Sequence, residues 1–130
     1  MIKGILPIVL IVAVIFGYLL YNNMQKVSEG EEFAKEFLIK LTNNRPEQAH
    51  KMMYKGFAKA LPLDSLKESY SDNLGAYKNI KWQDTTYSDG EYILKGMAYT
   101  NSGCKSNYTA KIMDTDEGLK IYIFTLEPYC

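Results

Sequence analysis

Apolar and polar positions follow three successive patterns along the chain. Residues 4–21 form an apolar run without charged or strongly polar side chains. After Val27, apolar residues recur every three or four positions, which is typical of amphipathic helices. From Ile80 onward they alternate with polar residues, which is typical of strands. The pattern therefore predicts an apolar segment, then helices, then a sheet.

The apolar run Gly4–Tyr21 has the length of a transmembrane helix. As a helix it would span about 27 Å, just enough for the hydrocarbon core of a bilayer. Tyr18 and Tyr21 fall at its far end, where aromatic rings favour the interface. A cleaved signal peptide is the alternative, but the run exceeds the usual apolar length of about 7–15 residues and no small-residue cleavage site follows. We expect an uncleaved single-pass anchor.

The orientation of the anchor rests on a small charge difference. Lys3 precedes the run, and Lys26 follows it with several glutamates close behind. The positive-inside rule then favours a cytoplasmic amino terminus. The expected organisation is a cytoplasmic tip and anchor over residues 1–26 and a periplasmic or extracytoplasmic domain over 27–130. The expected location is the inner (cytoplasmic) membrane of a bacterium.

Three helices are predicted in the outer domain. Ser28 and Glu31 have capping-box spacing, and the helix they start ends near Asn43. Asn44–Glu47 is a second start signal, and Pro62 ends that helix. A third helix runs toward Gly75. The apolar positions that define the three faces are Phe33, Phe37, Leu38 and Leu41, then Ala49, Met52, Met53, Phe57 and Ala60, then Leu66, Tyr70, Leu74 and Tyr77.

Four strands separated by turn signals follow. They are predicted at Ile80–Ser88, Glu91–Thr100, Asn107–Thr115 and Leu119–Glu127. Asp89-Gly90 is a two-residue hairpin signal, and Asp116–Gly118 fits a three-residue turn. The fold class is therefore α+β: about three helices packed on a curved, four-stranded antiparallel meander, preceded by the transmembrane helix.

The turns fix an expected register for the first hairpin. A two-residue turn at Asp89-Gly90 places Asp84 opposite Lys95 and Trp82 opposite Met97, so that all four would share one face. An Asp84–Lys95 cross-strand ion pair is the structural interpretation of this cluster. The functional interpretation is a pocket lined by Trp82, Asp84, Lys95 and Met97.

The second turn brings the two cysteines together. A three-residue turn pairs Thr115 with Leu119, and continuing that register sets Cys104 opposite Cys130. Outside the cytoplasm such a pair oxidises readily, so we predict a disulfide. The alternatives are two free thiols in a reducing compartment, or a redox-active pair that would lack C-x-x-C spacing.

Composition and residue spacing argue against several classes of function. The chain has 15 basic and 15 acidic residues, so its formal charge is zero, which argues against nucleic-acid binding. His50 is the only histidine, and we expect it at the boundary or surface of the second helix. The sequence offers no zinc spacing, phosphate-binding glycine loop or Ser-His-Asp set. We therefore expect no cofactor and no metal.

The outer domain resembles the nuclear-transport-factor-2-like (cystatin-like) superfamily, and in particular its small membrane-anchored bacterial members. The likeness covers residues 27–130 and is carried by the segments 33–41, 47–49, 74–77 and 117–124. It implies a cone in which the sheet curls around the first helix, with a pocket at its open end. The fold of mitochondrial and bacterial inner-membrane assembly factors is the alternative likeness.

The resemblance does not choose a function, because the superfamily contains enzymes, such as ketosteroid isomerase and scytalone dehydratase, and non-catalytic scaffolds, among them anchored subunits of type IV secretion machines. We expect a non-enzymatic scaffold, accessory subunit or assembly factor whose partner is a membrane protein or a second copy. One alternative is a binder of a small apolar ligand or lipid in the cone. Another is an isomerase- or dehydratase-like enzyme using Asp84 with Tyr70, Tyr87 or Tyr99.

Overall fold

The computed structural model describes residues 2–70 and 76–128, with the side chains of 2–11, Asn23, Tyr70 and Pro128 outside the description. The helices are α1 (Ile2–Thr42), α2 (Pro46–Lys51), α3 (Lys55–Ala60) and α4 (Leu63–Tyr70). The strands are β1 (Tyr77–Ser88), β2 (Glu91–Thr100), β3 (Lys105–Thr115) and β4 (Gly118–Pro128). They form one antiparallel sheet in the order β1-β2-β3-β4, which confirms the predicted α+β meander.

Helix α1 runs without a break through the predicted boundary between anchor and domain. The helix start predicted at Ser28 is therefore wrong. Gly30 lies inside the helix, and the ring of Tyr92 packs against it. Beyond the end of α1, Asn44 adopts a left-handed φ of 61°, and the backbone N–H of Arg45 donates to the carbonyl of Lys40. This arrangement satisfies an end carbonyl of the helix.

The amino-terminal part of α1 carries the predicted membrane span. Among the residues whose side chains are described, no helix is long and apolar enough to cross a bilayer. Residues 4–11 of the predicted span fall outside that set. The span itself therefore stays a prediction.

The predicted second helix is divided into α2 and α3 by an extended segment. The backbone N–H of Tyr54 donates to the carbonyl of Ile121, and the N–H of Ile121 donates to the carbonyl of Met52, both at 2.7 Å. Strand β4 is an edge of the sheet, so these bonds pair backbone groups that the edge would otherwise leave open. The predicted end at Pro62 agrees with the last residue of α3, Ala60.

The third predicted helix corresponds to α4, which the structure describes as far as Tyr70. Leu74 and Gly75, at its predicted end, lie outside the described residues. Tyr77, which we expected on the helix, instead begins β1. Its backbone groups bond to the end of α1, because Thr42 Oγ1 accepts from the N–H of Tyr77.

The first hairpin has the predicted two-residue turn. Asp89 and Gly90 have φ values of 50° and 78°, and Asp84 lies opposite Lys95 as expected. A bulge at Gln83 then shifts the register, so that Trp82 pairs with Gly96 instead of Met97. Side chains alternate strictly in a regular strand, so Trp82 would otherwise share the outer face with Asp84. The extra residue turns Trp82 toward the core.

The last hairpin has a two-residue turn instead of the predicted three, since Thr115 pairs with Gly118. A bulge after Ile121 restores the expected register, and Ala110–Phe124 pair as predicted. The bulge has a clear packing reason. Ile121 and Phe124 are both buried, although a spacing of three residues puts side chains on opposite faces of a regular strand.

Helix α1 fills the concave face of the sheet. Phe37 and Leu38 are fully buried, and the ring of Phe37 contacts that of Phe124 edge-on at 5.0 Å. The Tyr108 hydroxyl donates a buried hydrogen bond of 3.0 Å to the carbonyl of Ala34. Side chains from α1 therefore pack into the concave face of the sheet.

Candidate functional sites

The four residues predicted to line a pocket lie on opposite faces of the sheet. Trp82 is half-buried on the concave face, with its ring 6.2 Å from that of Tyr108. Asp84, Lys95 and Met97 lie on the outer face. The structure does not bring the four together, because the bulge at Gln83 reverses the face of Trp82. Sequence reasoning missed the bulge because it assumed a constant register.

Asp84 lies in surroundings that do not favour acid–base chemistry. It is exposed on the outer face opposite Lys95, whereas catalytic carboxylic acids are typically tuned by apolar burial. Of its proposed partners, Tyr87 packs on the ring of Tyr92 at the concave face, and the Tyr70 side chain is outside the description. The ion pairs of residues 2–70 and 76–128 do not include the expected Asp84–Lys95 pair.

The surroundings of Cys104 agree with a bridge at the end of the sheet. Its backbone N–H donates to Thr100 Oγ1 at 3.0 Å, and Cys104 is not a free thiol. The β3–β4 register reaches Ser106 opposite Pro128, so one further step of two residues on each strand leads to Cys104 and Cys130. Cys130 lies outside the described residues, and the Cys104–Cys130 bridge stays a prediction.

His50 joins two short helices. Its Nε2 lies 3.3 Å from the carbonyl oxygen of Ala58 and 3.2 Å from that of Leu61. Both neighbours are acceptors, so Nε2 must carry a proton and donate. The ring is half-buried. His50 is thus a boundary residue, as predicted, and it holds α2 against the end of α3.

A cleft of about 420 Å³ opens beside His50, between the α2–α3 segment and the β3–β4 turn. Basic side chains lie along it, together with the ring of Tyr54 and two acidic residues of the turn. Its lining includes His50, Lys51, Met53, Tyr54, Lys55, Ala58, Asp116, Glu117 and Lys120. Sequence reasoning missed this site, because its two halves are joined by the bridge to Ile121, which no local pattern indicates.

Two buried tyrosines have perturbed hydroxyl groups. Burial, with smaller contributions from Glu29, Tyr87 and Asp114, raises the pKa of Tyr92 to about 12. Burial also raises the pKa of Tyr108. Tyr108 has the carbonyl of Ala34 as its partner, whereas the Tyr92 hydroxyl is buried and has no hydrogen-bond partner among the residues that the structure describes. Both groups are neutral at physiological pH and act as packing residues.

The amino-terminal part of α1 exposes a large apolar surface. Eight large apolar or aromatic side chains between residues 12 and 21 are each more than half exposed. These residues are Val12, Val14, Ile15, Phe16, Tyr18, Leu19, Leu20 and Tyr21. Their nearly consecutive positions distribute them around all sides of the helix. Such a helix is typical of a segment that is buried on every side.

The comparisons with known proteins support the fold. No family model matches the chain. No curated protein matches it. Among solved structures, the chain is similar to a protein from Campylobacter jejuni provisionally described as an NTF2-like transpeptidase, with a TM-score of 0.61 and 14% identity over 72% of this chain and 97% of that one. Identity this low shows the fold alone: the chain has an NTF2-like fold, as the resemblance implied.

Proposed function

We propose that the chain is a single-pass membrane protein whose outer domain, residues 27–130, binds other proteins of a membrane complex as a scaffold, accessory subunit or assembly factor. The observation that carries this proposal is the exposed apolar surface of α1 between Val12 and Tyr21. Proteins in water rarely expose contiguous apolar patches of this kind. A partner helix would cover one side of α1, whereas lipid covers all sides.

The continuity of α1 supports a scaffold role. The same helix carries the proposed anchor and, at Phe37 and Leu38, the centre of the domain core. From Tyr21 to Gly30, where the helix first packs closely on the sheet, the rise is about 14 Å. A continuous helix of this length would hold the domain close to the membrane surface at a defined distance.

The proposed location is the outer side of a bacterial inner membrane. Lys3 before the apolar run favours a cytoplasmic amino terminus. A bridge between Cys104 and Cys130 fits the oxidising conditions outside the cytoplasm. A reporter that is active only in the cytoplasm, fused after Cys130, should remain silent, and the same reporter fused before Met1 should be active. Activity of the carboxyl-terminal fusion would reverse the proposed topology.

A non-catalytic role agrees with the surroundings of Cys104, Ser106 and Asp84. The solved neighbour is described as a transpeptidase, a reaction class that uses an activated nucleophile. Here Cys104 is not a free thiol, and the hydroxyl of Ser106 is buried and bonded to the Tyr77 hydroxyl. Asp84 is exposed. Burial of Phe37 against the concave face of the sheet also argues against the apolar-ligand alternative.

The outer face of the sheet offers a surface for a protein partner. Ile93, Tyr122 and Ile123 are all more than two-fifths exposed, and we name them the outer sheet patch. Two of these are aliphatic side chains and the third is a tyrosine, a residue enriched at the centres of interfaces. The patch is thus the part of the domain on which we expect an interface.

Affinity purification of the tagged full chain in dodecyl maltoside, followed by cross-linking mass spectrometry, tests the proposal. We expect a stoichiometric partner, or a second copy, cross-linked near the outer sheet patch. Ile93→Glu should reduce recovery of that partner, whereas the matched surface variant Glu68→Lys on α4 should not. Recovery as a lone monomer under conditions that keep other membrane complexes intact would contradict the proposed role.

A further inference from the structure

The cleft beside His50 is held open by backbone bonds. Met52 and Tyr54 bond to both sides of Ile121, so the α2–α3 segment is fixed to β4. The Nζ of Lys120 also donates to the carbonyl of Lys51 at 3.0 Å across the same junction. The two walls therefore have a defined separation before any ligand enters, as most small-molecule sites do.

The size and floor of the cleft suit a small organic molecule. Its volume of about 420 Å³ lies within the range of ligand sites. Met53 is buried beneath it, Ala58 is half-buried, and the partly exposed ring of Tyr54 lies against that of Tyr122 at 5.9 Å. A short apolar or aromatic group could replace water on this floor without separating any polar pair.

The charges around the cleft are not balanced. Three lysines line it, but among the described residues Lys51 and Lys120 have no carboxylate within ion-pair distance. Lys55 is 3.8 Å from Glu117, and both side chains are mostly exposed, so that pair is weak. Asp116 is at the turn. At least two ammonium groups therefore remain without an anionic partner.

His50 keeps the basic wall in place. Because its Nε2 donates to carbonyls of α3 and the following residue, the ring is fixed at the inner end of the cleft. Lys51 follows it directly on α2, and Lys55 begins α3. The histidine is thus a positioning residue, and the lysines are the groups that would contact an anion.

We propose that this cleft binds a small organic anion: a phosphate ester with a short apolar or aromatic body. Lysine ammonium groups are suited to phosphate as point charges, and the apolar floor would receive the body of the ligand. The source could be a soluble phosphate ester or an anionic lipid headgroup, because Leu119, beside the β3–β4 turn, adjoins Ser28 and Glu29 of α1 at the anchor side of the domain. The soluble source is independent of the proposed function, whereas the lipid source rests on the proposed membrane anchor.

Titration of the isotope-labelled full chain in dodecyl maltoside with phenyl phosphate tests the proposal. We expect saturable amide shifts at Tyr54 and Thr115–Lys120, weaker binding of inorganic phosphate, and no saturation with benzyl alcohol. Lys51→Gln should weaken binding by about tenfold, the size of one lost charge-assisted hydrogen bond, and Lys51→Arg should retain it. The matched control Lys59→Gln, on the exposed surface of α3, should bind as the parent chain does.

Nanodiscs separate the two sources of the anion. Shifts of the same amides in phosphatidylglycerol but not in phosphatidylcholine nanodiscs would identify a lipid headgroup. Saturation by phenyl phosphate without a response to phosphatidylglycerol would identify a soluble ligand. The proposal is wrong if neither probe shifts these amides, if benzyl alcohol saturates them equally, or if Lys51→Gln and Lys59→Gln have the same effect. Thermal unfolding curves of Lys51→Arg and Lys51→Gln that match each other exclude unfolding as the cause of weaker binding by Lys51→Gln.

Discussion

The ring of Tyr92 occupies the space that a side chain at position 30 would need. A Cβ atom added to Gly30 would lie within 3.0 Å of two ring atoms of Tyr92, closer than real Cβ contacts allow. Gly30 is buried in the middle of α1, and Tyr92 is fully buried on β2. This contact joins the helix to the sheet close to the point at which the helix leaves the domain.

Gly30→Ala should therefore destabilise the domain, although alanine favours helices. The gain in helix propensity is about 1 kcal/mol, and overpacking against a buried ring costs about 1–3 kcal/mol. We expect a net loss of about 1 kcal/mol in urea unfolding followed by circular dichroism. Gly56→Ala on α3 is the control, because its nearest neighbour would be 3.5 Å away, and it should be neutral or stabilising. Equal effects of the two changes would contradict the packing.

Tyr108→Phe and Tyr92→Phe should change the free energy of unfolding by different amounts. The Tyr108 hydroxyl donates to the carbonyl of Ala34, so Tyr108→Phe should cost about 1 kcal/mol. The buried Tyr92 hydroxyl has no partner in the described part of the chain, so Tyr92→Phe should be neutral or slightly stabilising. Denaturant midpoints at neutral pH compare the two directly. A larger loss for Tyr92→Phe would mean that its hydroxyl has a partner in solution.

Stability should fall in alkaline solution because of the same residues. Burial raises the pKa of Tyr92 from 10.0 to about 12, so in that interval the unfolded chain loses a proton that the folded chain keeps. The contribution of Tyr92 to the free energy of unfolding is fully present below pH 10. As the pH rises from 10 toward 12, ionisation of Tyr92 in the unfolded chain lowers the free energy of unfolding by about 1.4 kcal/mol per pH unit. Over this range, the free energy of unfolding of Tyr92→Phe should fall less steeply with pH than that of the parent chain. An unchanged slope would exclude Tyr92 as the cause.

The predicted Cys104–Cys130 bridge can be measured without a structure. Protein purified without reductant and denatured in an alkylating reagent should gain no adducts, and should gain two after reduction. Cys130→Ser should lower stability by about 3.5 kcal/mol, the chain-entropy value for a loop of this length. Cys104→Ser should have the same effect, because both changes remove one bond. Two adducts before reduction would show free thiols.

The sequence indicates the strands and the hairpin at Asp89-Gly90 closely, because alternation and turn residues are local signals. It does not indicate the bulges at Gln83 and after Ile121, because each depends on which side chains the core accepts. The turn of the last hairpin is one residue shorter than predicted, and the bulge adds one residue to β4, so the two differences cancel. The far end of the β3–β4 pair is therefore in the expected register.

The cleft beside His50 could not be predicted from the sequence for a similar reason. The α2–α3 break and the cleft depend on bonds between Tyr54, Met52 and Ile121, which are distant in sequence. The periodicity of residues 49–60 fits one continuous helix, because helical spacing does not reveal an edge strand that needs partners. The continuity of α1 was missed for a related reason: a capping-box spacing can occur inside a helix that packing already stabilises.

Alkaline carbonate extraction of membranes from cells that express the full chain is the sharpest test of the proposed membrane anchor. We expect the parent chain to stay in the membrane pellet. Lysines introduced at Val14 and Ile15 should release part of it, since a charge at the centre of a span costs about 2.5–3.5 kcal/mol. A pair of lysines at Thr86 and Ser88 on β1 should leave it in the pellet. Quantitative recovery of the parent chain in the carbonate supernatant would show that α1 does not anchor the protein in the membrane.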